Sequence, residues 1–345
     1  MSTQNSVSLL KPTSHDQIDA HSNGEQEVVY RRLLAEATTS EKYASGRTKR
    51  PWIFEVVQGF FLQDDEGTDD LTFEYVNQDF GLKLSSWTEL RQKLESLNSN
   101  AASNESYKLL FLARHGQGYH NFAVEKYGTE KWDRDLAHLS GDGEIVWGPD
   151  PFLTSLGEAQ ADENHDVWLQ QIAKGAPIPT AFYSSPFTRS MHTLIRTWKD
   201  IVICENGQDE SKLLAPRAHP LVVEDVRETI GLHLCDKRST KSTIIERVSK
   251  YGLVIEDGFE EEDVLYKEDW RESLSEQALR INKFLQFLFE KDFVDNKITR
   301  DGDLVVNVTS HAGTIRSFIT ALGHRHFTIS TGGMIPVVVK AIRQL

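Results

Sequence analysis

Short apolar runs alternate with segments of helical spacing over most of the chain. Residues 107–113 (YKLLFLA) and 303–310 (DLVVNVTS) are nearly continuous apolar runs, which is typical of strands covered on both faces. Residues 180–185 (TAFYSS), 221–226 (LVVEDV) and 336–342 (PVVVKAI) repeat the pattern. These five segments predict the strands of a central sheet.

Helical spacing separates the predicted strands. Residues 187–203, 242–251, 270–291 and 314–323 have this spacing, and Gly323 is placed to end the last of these helices. Alternation of strands and helices favours parallel strand pairs joined by helical crossovers. The sequence therefore predicts an α/β fold, a three-layer sandwich with a largely parallel central sheet.

The first hundred residues have a different pattern. Residues 1–50 are mostly polar and predict a flexible N-terminal tail, with a short helix after residue 27 (EVVYRRLLAEA). Residues 51–106 include an N-capped amphipathic helix at 85–97 (SSWTELRQKLESL) and predict an extension packed on the main domain. A separate binding module is the alternative for this extension. The main domain is predicted over 107–345.

Composition limits the class of protein. Of the 345 residues, 39% are hydrophobic, which indicates a globular chain, and the net charge of −14 argues against a nucleic-acid partner. Two cysteines, Cys204 and Cys235, give no disulfide framework. The N-terminus has no apolar core of signal-peptide length, and no segment suggests a membrane partner. We therefore expect a cytoplasmic protein, with the nucleus as a further location.

Polar clusters follow three of the predicted strands. Arg114, His115 and Gly116 follow the first, residues 184–186 with Arg189 follow the second, and residues 310–313 follow the fourth. Ligands of open α/β sheets bind outside the carboxyl ends of the strands. We therefore expect the three clusters to meet in one pocket.

The residue types in these clusters suit a phosphoryl group. The arginines Arg114 and Arg189 offer planar forks of donors that match phosphate oxygens. A neutral imidazole, such as that of His115, can attack phosphorus, and the second histidine, His311, adds positive charge. Each group also has an ordinary structural alternative, such as helix capping for His311. The coincidence at three strand ends favours a functional site.

The first cluster, RHGQGYHN (114–121), resembles the signature of the histidine phosphatase superfamily, which has the phosphoglycerate-mutase-like fold. Residues 150–161 (DPFLTSLGEAQA), 184–193 (SSPFTRSMHT) and 310–318 (SHAGTIRSF) are similar to three further elements of that family, in the same order. The resemblance runs from Tyr107 to the C-terminus. It is closest to the fungal phosphomutase-like branch, through RHGQGYHN, EKWDRD and CDKR.

This resemblance implies a role for each matched residue. His115 would be the nucleophile that becomes phosphohistidine, while Arg114, Arg189 and His311 would clamp the phosphoryl group. Asn121 would donate a hydrogen bond to the same group. The family uses no metal and no other cofactor, and none is expected here.

In the family that this sequence resembles, the proton donor is usually an acid in a segment between the second and fourth of these elements. The segment VVEDVRETIG offers Glu224, Asp225 and Glu228. Glu228 is favoured because an Arg-Glu pair followed by Gly231 resembles the family's L-R-E…G, although the spacing to glycine is one residue shorter than in many members. The other two acids remain alternatives.

Three functions remain open at this point. A phosphatase acting on small phosphomonoesters is the first. A phosphoglycerate-type mutase needs a second cationic clamp; the acid-rich residues 121–151 are poorly suited to this, but Lys237 and Arg238 could still serve. A non-catalytic binding module on the same fold is disfavoured because His115 and His311 are both present.

Overall fold

A seven-stranded mixed sheet forms the centre of the computed structural model, which describes residues 7–295, 297–299 and 302–344. The strands are β1 (Trp52–Val56), β2 (Glu105–Arg114), β3 (Ala181–Ser184), β4 (Leu221–Val222), β5 (Val254–Ile255), β6 (Phe293–Val294), β7 (Lys297–Ile298), β8 (Val305–Ser310) and β9 (Met334–Arg343). The sheet order is β1-β9-β2-β8-β3-β4-β5, and β6 pairs with β7 separately. Only β9 runs against the other strands of this sheet, so the predicted largely parallel sheet is confirmed.

Helices cover both faces of the sheet. They are α1 (Ser14–His21), α2 (Gln26–Ser40), α3 (Trp87–Ser99), α4 (Tyr119–Tyr127), α5 (Thr129–Lys131), α6 (Ser155–Ala173), α7 (Thr188–Trp198), α8 (Lys241–Val248), α9 (Leu274–Glu290) and α10 (Ala312–Leu322). Phe182 of β3 packs on Trp198 of α7, whereas the next residue, Tyr183, packs on Phe284 of α9. Successive strand residues point to opposite faces, so α7 and α9 lie on opposite sides of the sheet. This arrangement is the expected three-layer sandwich.

Strand β2 occupies the middle of the core. Leu109 to Leu112 are completely buried, because β8 and β9 flank the strand and helices cover it. Lys108 is the exception to the apolar pattern, and its Nζ donates to the Asp292 carboxylate and to the Asp303 carbonyl. These bonds satisfy an ammonium group that burial would otherwise destabilise.

The strand register brings the three polar clusters to one edge. Arg114 of β2 lies opposite Ser310 of β8, and Ser184 of β3 lies opposite Thr309 of β8. All three strands run in the same direction, so their carboxyl ends finish side by side. Gly323 ends α10 with a φ of 70°, as its position in the sequence predicts.

Several elements differ in extent from the prediction: α7 ends at Trp198 and not at residue 203, and α9 begins at Leu274 and not at residue 270. The expected strand at 221–226 is reduced to two residues, and Glu224–Val226 instead form a short 3₁₀ turn. Helix α8 ends at Val248, three residues before the predicted end. No helix among the described residues is long and apolar enough to cross a membrane.

The N-terminal region also differs from the predicted tail. Residues 14–21 and 26–40 are helical, and Thr13 caps α1 because its hydroxyl accepts a hydrogen bond from the Asp16 amide. The extension supplies β1, whose Trp52 lies opposite Arg343 at the edge of the main sheet. Side chains from the described part of this region, among them Leu10, Trp52 and Phe61, therefore join the same core. The domain boundaries at residues 50 and 106 stay predictions.

Candidate active site

A cavity of about 540 Å³ opens at the carboxyl ends of β2 and β8. Four of the residues singled out in the sequence line this cavity: Arg114, His115, Asn121 and Glu228. The other two, Arg189 and His311, are completely buried beside it. The ring centroids of His115 and His311 lie 5.0 Å apart, so the structure brings the separate clusters together.

His115 follows the last residue of β2 and is almost completely buried. Its Nδ1 lies 2.6 Å from the Gly116 carbonyl oxygen, to which it donates, so the lone pair is on Nε2. Burial, together with the positive charges of Arg189 and Arg114, holds the pKa of His115 well below its usual value. The imidazole is therefore neutral at physiological pH, as a nucleophile must be.

The backbone after His115 is held by two neighbouring helices. The Gly116 amide donates to Thr193 Oγ1 of α7 at 3.0 Å. A Cβ at Gly116 would lie 2.2 Å from the Gly157 carbonyl oxygen of α6, so only glycine fits this approach. Thr154 caps α6 by accepting from the Gly157 amide at 3.1 Å. The LTSLGEAQA segment therefore has the local role of supporting the loop that carries His115.

Arg114 is fixed by one end of its guanidinium group. Its Nη1 donates to Asp16 Oδ1 at 2.5 Å and to the Ile329 carbonyl at 2.7 Å. Its Nε is buried and has no hydrogen-bond partner among the described residues. The bonded end anchors the side chain, and the rest of the group is available to an anion in the cavity.

Arg189 is held by a second anchor of the same kind. Its guanidinium donates to the Cys235 carbonyl at 3.0 Å and to Asp236 Oδ1 at 3.3 Å, and lies 4.4 Å from the Phe187 ring centroid. Asp236 thus anchors Arg189, as Asp16 anchors Arg114.

His311 and Glu228 face each other across the site. Nε2 of His311 lies 2.7 Å from Ser185 Oγ, while its Nδ1 lies 3.9 Å from Glu228 Oε2. Burial, followed by the charge of Arg189, lowers the pKa of His311 well below its usual value. A Cβ at Gly313 would lie 2.5 Å from Glu228 Oε1, so the glycine of SHAG leaves room for this acid.

The three candidate proton donors are in different surroundings. Glu228 lines the cavity, but Glu224 and Asp225 do not. Glu224 accepts a hydrogen bond from Arg238 Nε at 2.5 Å, and Asp225 forms an ion pair with Lys283 at 3.0 Å. Of the three acids, Glu228 is therefore the one whose surroundings fit the predicted proton donor.

Asn121 closes the first turn of α4. Its Oδ1 accepts from the Gly118 amide at 2.9 Å, so its Nδ2 is the end that can donate to an anion. A Cβ at Gly118 would lie 2.7 Å from His120 Nδ1, so a larger residue at this position would displace the His120 ring.

Several residues of the site were not identified from the sequence. The His120 ring lies 5.4 Å from that of His115, its Nδ1 is buried without a partner among the described residues, and burial lowers its pKa well below the usual value. His120 lies inside RHGQGYHN, and Arg316 lies inside SHAGTIRSF, so both were within reach of the motif. Asp16 and Arg271 lie in segments that carry no such signal.

One group of side chains has a spacing compatible with a metal. Ligand atoms of His233, Cys235 and Asp236 all lie within 4.8 Å of one another on the cavity wall. Burial, and then the Asp236 charge, raise the pKa of the Cys235 thiol well above its usual value. Asp236 is also bound to Arg189. Because that carboxylate already pairs with both Arg189 and Arg271, this is a poor metal site.

Comparisons with known proteins agree with the motifs. The chain is 36% identical over 305 residues to a protein of Arthroderma benhamiae named as a probable phosphoglycerate mutase, covering 83% of this chain and 84% of that protein. It is 30% identical over 300 residues to a Saccharomyces cerevisiae protein of similar name, covering 82% and 95%. A Candida albicans phosphomutase-like protein is 33% identical over 285 residues, covering 82% and 78%.

Family models and solved structures show weaker similarity to the chain or none. No protein-family model matches the chain. Among solved structures, a mycobacterial glucosyl-3-phosphoglycerate phosphatase is similar over 62% of this chain and 79% of its own, with 19% identity and a TM-score of 0.33.

Proposed function

The chain belongs to the phosphoglycerate-mutase-like group of the histidine phosphatase superfamily, and from this membership we propose that it is a metal-independent phosphatase. Its substrates would be small phosphomonoesters, and its intermediate a phosphohistidine on His115. We place this reaction in the cytoplasm, with the nucleus as a further location.

One observation carries the proposal. His115 is a buried neutral imidazole with its Nε2 lone pair free, and it lies between two anchored arginines, Arg114 and Arg189. Burial alone would make a histidine neutral, but a core histidine does not need two guanidinium groups beside it. A dianionic phosphoryl group would balance those charges and place phosphorus beside Nε2.

In the first half of the reaction, the His115 Nε2–P bond forms while the ester P–O bond breaks. Arg114 and Arg189 stabilise the charge on the transferring oxygens, and the Nδ1–H bond to Gly116 supports the positive imidazole. His311, whose pKa is lowered, acts as a neutral hydrogen-bonding group and not as the positive charge expected from the sequence. Glu228 transfers its proton to the leaving oxygen, so that the product departs as an alcohol.

In the second half, a water oxygen bonds to phosphorus while the Nε2–P bond breaks. The Glu228 carboxylate accepts the proton of that water and returns to its starting state. The sum of the two steps is an ester plus water giving an alcohol plus inorganic phosphate.

The mutase alternative shares the first half and differs in the acceptor of the phosphoryl group. A mutase must retain the dephosphorylated product, for which the sequence offered Lys237 and Arg238. Neither lines the cavity, and Arg238 is occupied by Glu224 and by backbone carbonyl groups. Lys237 and Arg238 therefore do not supply the second clamp considered for a mutase.

The test is to follow both products from one set of substrates. Inorganic phosphate is measured from a panel of phosphomonoesters, and 2-phosphoglycerate is measured from 3-phosphoglycerate with its bisphosphate primer. The proposal expects phosphate release to be the faster reaction. Isomerisation that outpaces phosphate release would establish the mutase instead, and activity of neither kind would favour a binding module.

A further inference from the structure

Two arginines that the proposed chemistry does not use also line the cavity: Arg271 and Arg316. The volume of about 540 Å³ lies within the range of about 300–1,000 Å³ that is typical of pockets for whole small-molecule ligands. The space beyond the phosphoryl group must therefore hold the remainder of the substrate. The side chains that line this space determine which leaving groups the cavity can accept.

Arg271 and Arg316 belong to the part of the cavity that the leaving group would occupy. Glu228 lines the same cavity as Arg271 and Arg316, and its charge acts on both guanidinium groups. Glu228 is also the acid proposed to protonate the leaving oxygen. The part of the cavity around Glu228 is therefore the part that the leaving group would occupy.

Arg316 lacks an ion-pair partner. It lies on α10, five residues after His311, and its Nη1 donates to the Asp19 backbone carbonyl. Its Nε is buried and unpaired, and no carboxylate among the described residues lies within ion-pair distance. Arg316 is half-buried, and the charges of Asp19 and Glu228 act on it from beyond ion-pair distance, so its guanidinium group is only partly compensated and a bound anion would complete the compensation.

Arg271 is only partly compensated. Its Nη1 donates to the Gly231 carbonyl at 2.8 Å and lies 3.3 Å from Asp236 Oδ2. The same Asp236 carboxylate also accepts from Arg189. One negative charge is thus shared between two guanidinium groups, and Arg271 keeps the capacity to bind a further anion.

We propose that Arg316 and Arg271 form a second anion-binding subsite, which selects phosphomonoesters whose leaving group carries another anionic group. A carboxylate and a second phosphate both match the fork of guanidinium donors. The proposal rests on the proposed function, since that assigns the leaving-group side. It also predicts that esters of neutral alcohols are poorer substrates than esters whose alcohol carries an anionic group.

The test compares pairs of esters that differ in the second anion. One pair is 3-phosphoglycerate and glycerol 3-phosphate, in which a hydroxymethyl group replaces the carboxylate. The other pair, fructose 1,6-bisphosphate and fructose 6-phosphate, tests a second phosphate. We expect kcat/KM to favour the anionic member of at least one pair by about tenfold or more, the size of one charge-assisted hydrogen bond.

Variants locate the source of that preference. Arg316→Gln should lower the ratio of kcat/KM values within the preferred pair by about tenfold. Arg91→Gln, which removes the same charge from the exposed side of α3, should leave the ratio unchanged. A wild-type enzyme that hydrolyses both members equally would overturn the subsite but not the phosphatase. An Arg316→Gln variant that slows both members equally would also overturn it, because that is the result of a structural role.

A protein that hydrolyses none of these esters would be a separate outcome. If no ester is hydrolysed, the proposed function is wrong, and titration calorimetry of 3-phosphoglycerate and glycerol 3-phosphate still tests the subsite. Tighter binding of the acid to the wild type, lost in Arg316→Gln, would support it. Equal binding of the two esters would contradict it.

Discussion

Asp16 and Arg114 form a buried ion pair between the N-terminal helix and the end of the central strand. Asp16 Oδ1 accepts from Arg114 Nη1 at 2.5 Å, and each side chain is only 8% exposed. The other oxygen of Asp16 accepts from Thr13, which caps the same helix. One carboxylate thus joins the start of α1 to an arginine of the active site.

This ion pair predicts a role for Asp16 in orienting Arg114. Asp16→Asn should raise KM for phosphomonoesters, and the Kd for vanadate, by about tenfold, because a charge-assisted hydrogen bond is worth about 1.5–3 kcal/mol. The exposed Asp166 of α6 gives the control, since Asp166→Asn removes the same charge away from the cavity. Tighter vanadate binding by Asp16→Asn would show instead that Asp16 competes with the phosphoryl group.

The buried histidines predict a dependence of stability on pH. The pKa values of His115, His120 and His311 are all lowered in the folded protein, chiefly by burial. The unfolded chain binds protons near pH 6.5 and the folded chain does not, so their contribution to stability is present above that pH and is lost as pH falls. Each histidine contributes a slope of up to about 1.4 kcal/mol per pH unit.

Urea unfolding at about pH 7 and about pH 5.5 measures this slope. His120→Gln should reduce it by roughly one histidine's share, whereas His138→Gln, at an exposed position, should not change it. An unchanged slope in His120→Gln would mean that this ring binds protons equally well in the folded and the unfolded chain.

The assignment of Glu228 predicts a loss that depends on the leaving group. Glu228→Gln should slow hydrolysis of glycerol or sugar phosphates by about 10²–10⁴-fold. In the phosphorylation step, measured as the burst of nitrophenolate, the loss should be much smaller for p-nitrophenyl phosphate, because nitrophenolate leaves without a proton. Asp225→Asn is the control, since this acid pairs with Lys283 outside the cavity. If Asp225→Asn showed the dependence and Glu228→Gln did not, the proton donor would be misassigned.

The contact between Gly116 and Gly157 predicts that α6 positions the catalytic loop. A Cβ at Gly157 would lie 2.1 Å from the Gln117 carbonyl oxygen, so Gly157→Ala must displace the backbone beside His115. We expect kcat to fall at least about tenfold, because small misplacements of reacting groups are costly. Gly67 has open space around it, and Gly67→Ala should keep full activity. Wild-type kcat in Gly157→Ala would show that the loop is set by other contacts.

The sequence predicted the centre of the fold and of the site for a physical reason. Apolar runs such as β2 and β8 are recognisable because both of their faces are buried, and the carboxyl ends of parallel strands meet at one edge. Arg114, His115 and His311 were found in this way. The short β4 was overestimated, because its apolar residues continue into a 3₁₀ turn.

The contacts of the N-terminal region could not be predicted in the same way. Asp16 lies 98 positions before Arg114 in a polar segment, where no periodicity marks a buried face. Its burial depends on a single tertiary ion pair. Arg271 likewise precedes α9 with no motif around it, and only the folded chain places it beside Glu228.

The central claim is that His115 carries the phosphoryl group, and rapid-quench labelling tests it most directly. Brief exposure to a ³²P-labelled phosphomonoester should give an acid-labile, alkali-stable label on the peptide that contains His115. His115→Ala should lose both this label and phosphate release, while circular dichroism shows it to be folded. Wild-type turnover by His115→Ala, or a label that resides on another residue, would contradict the account.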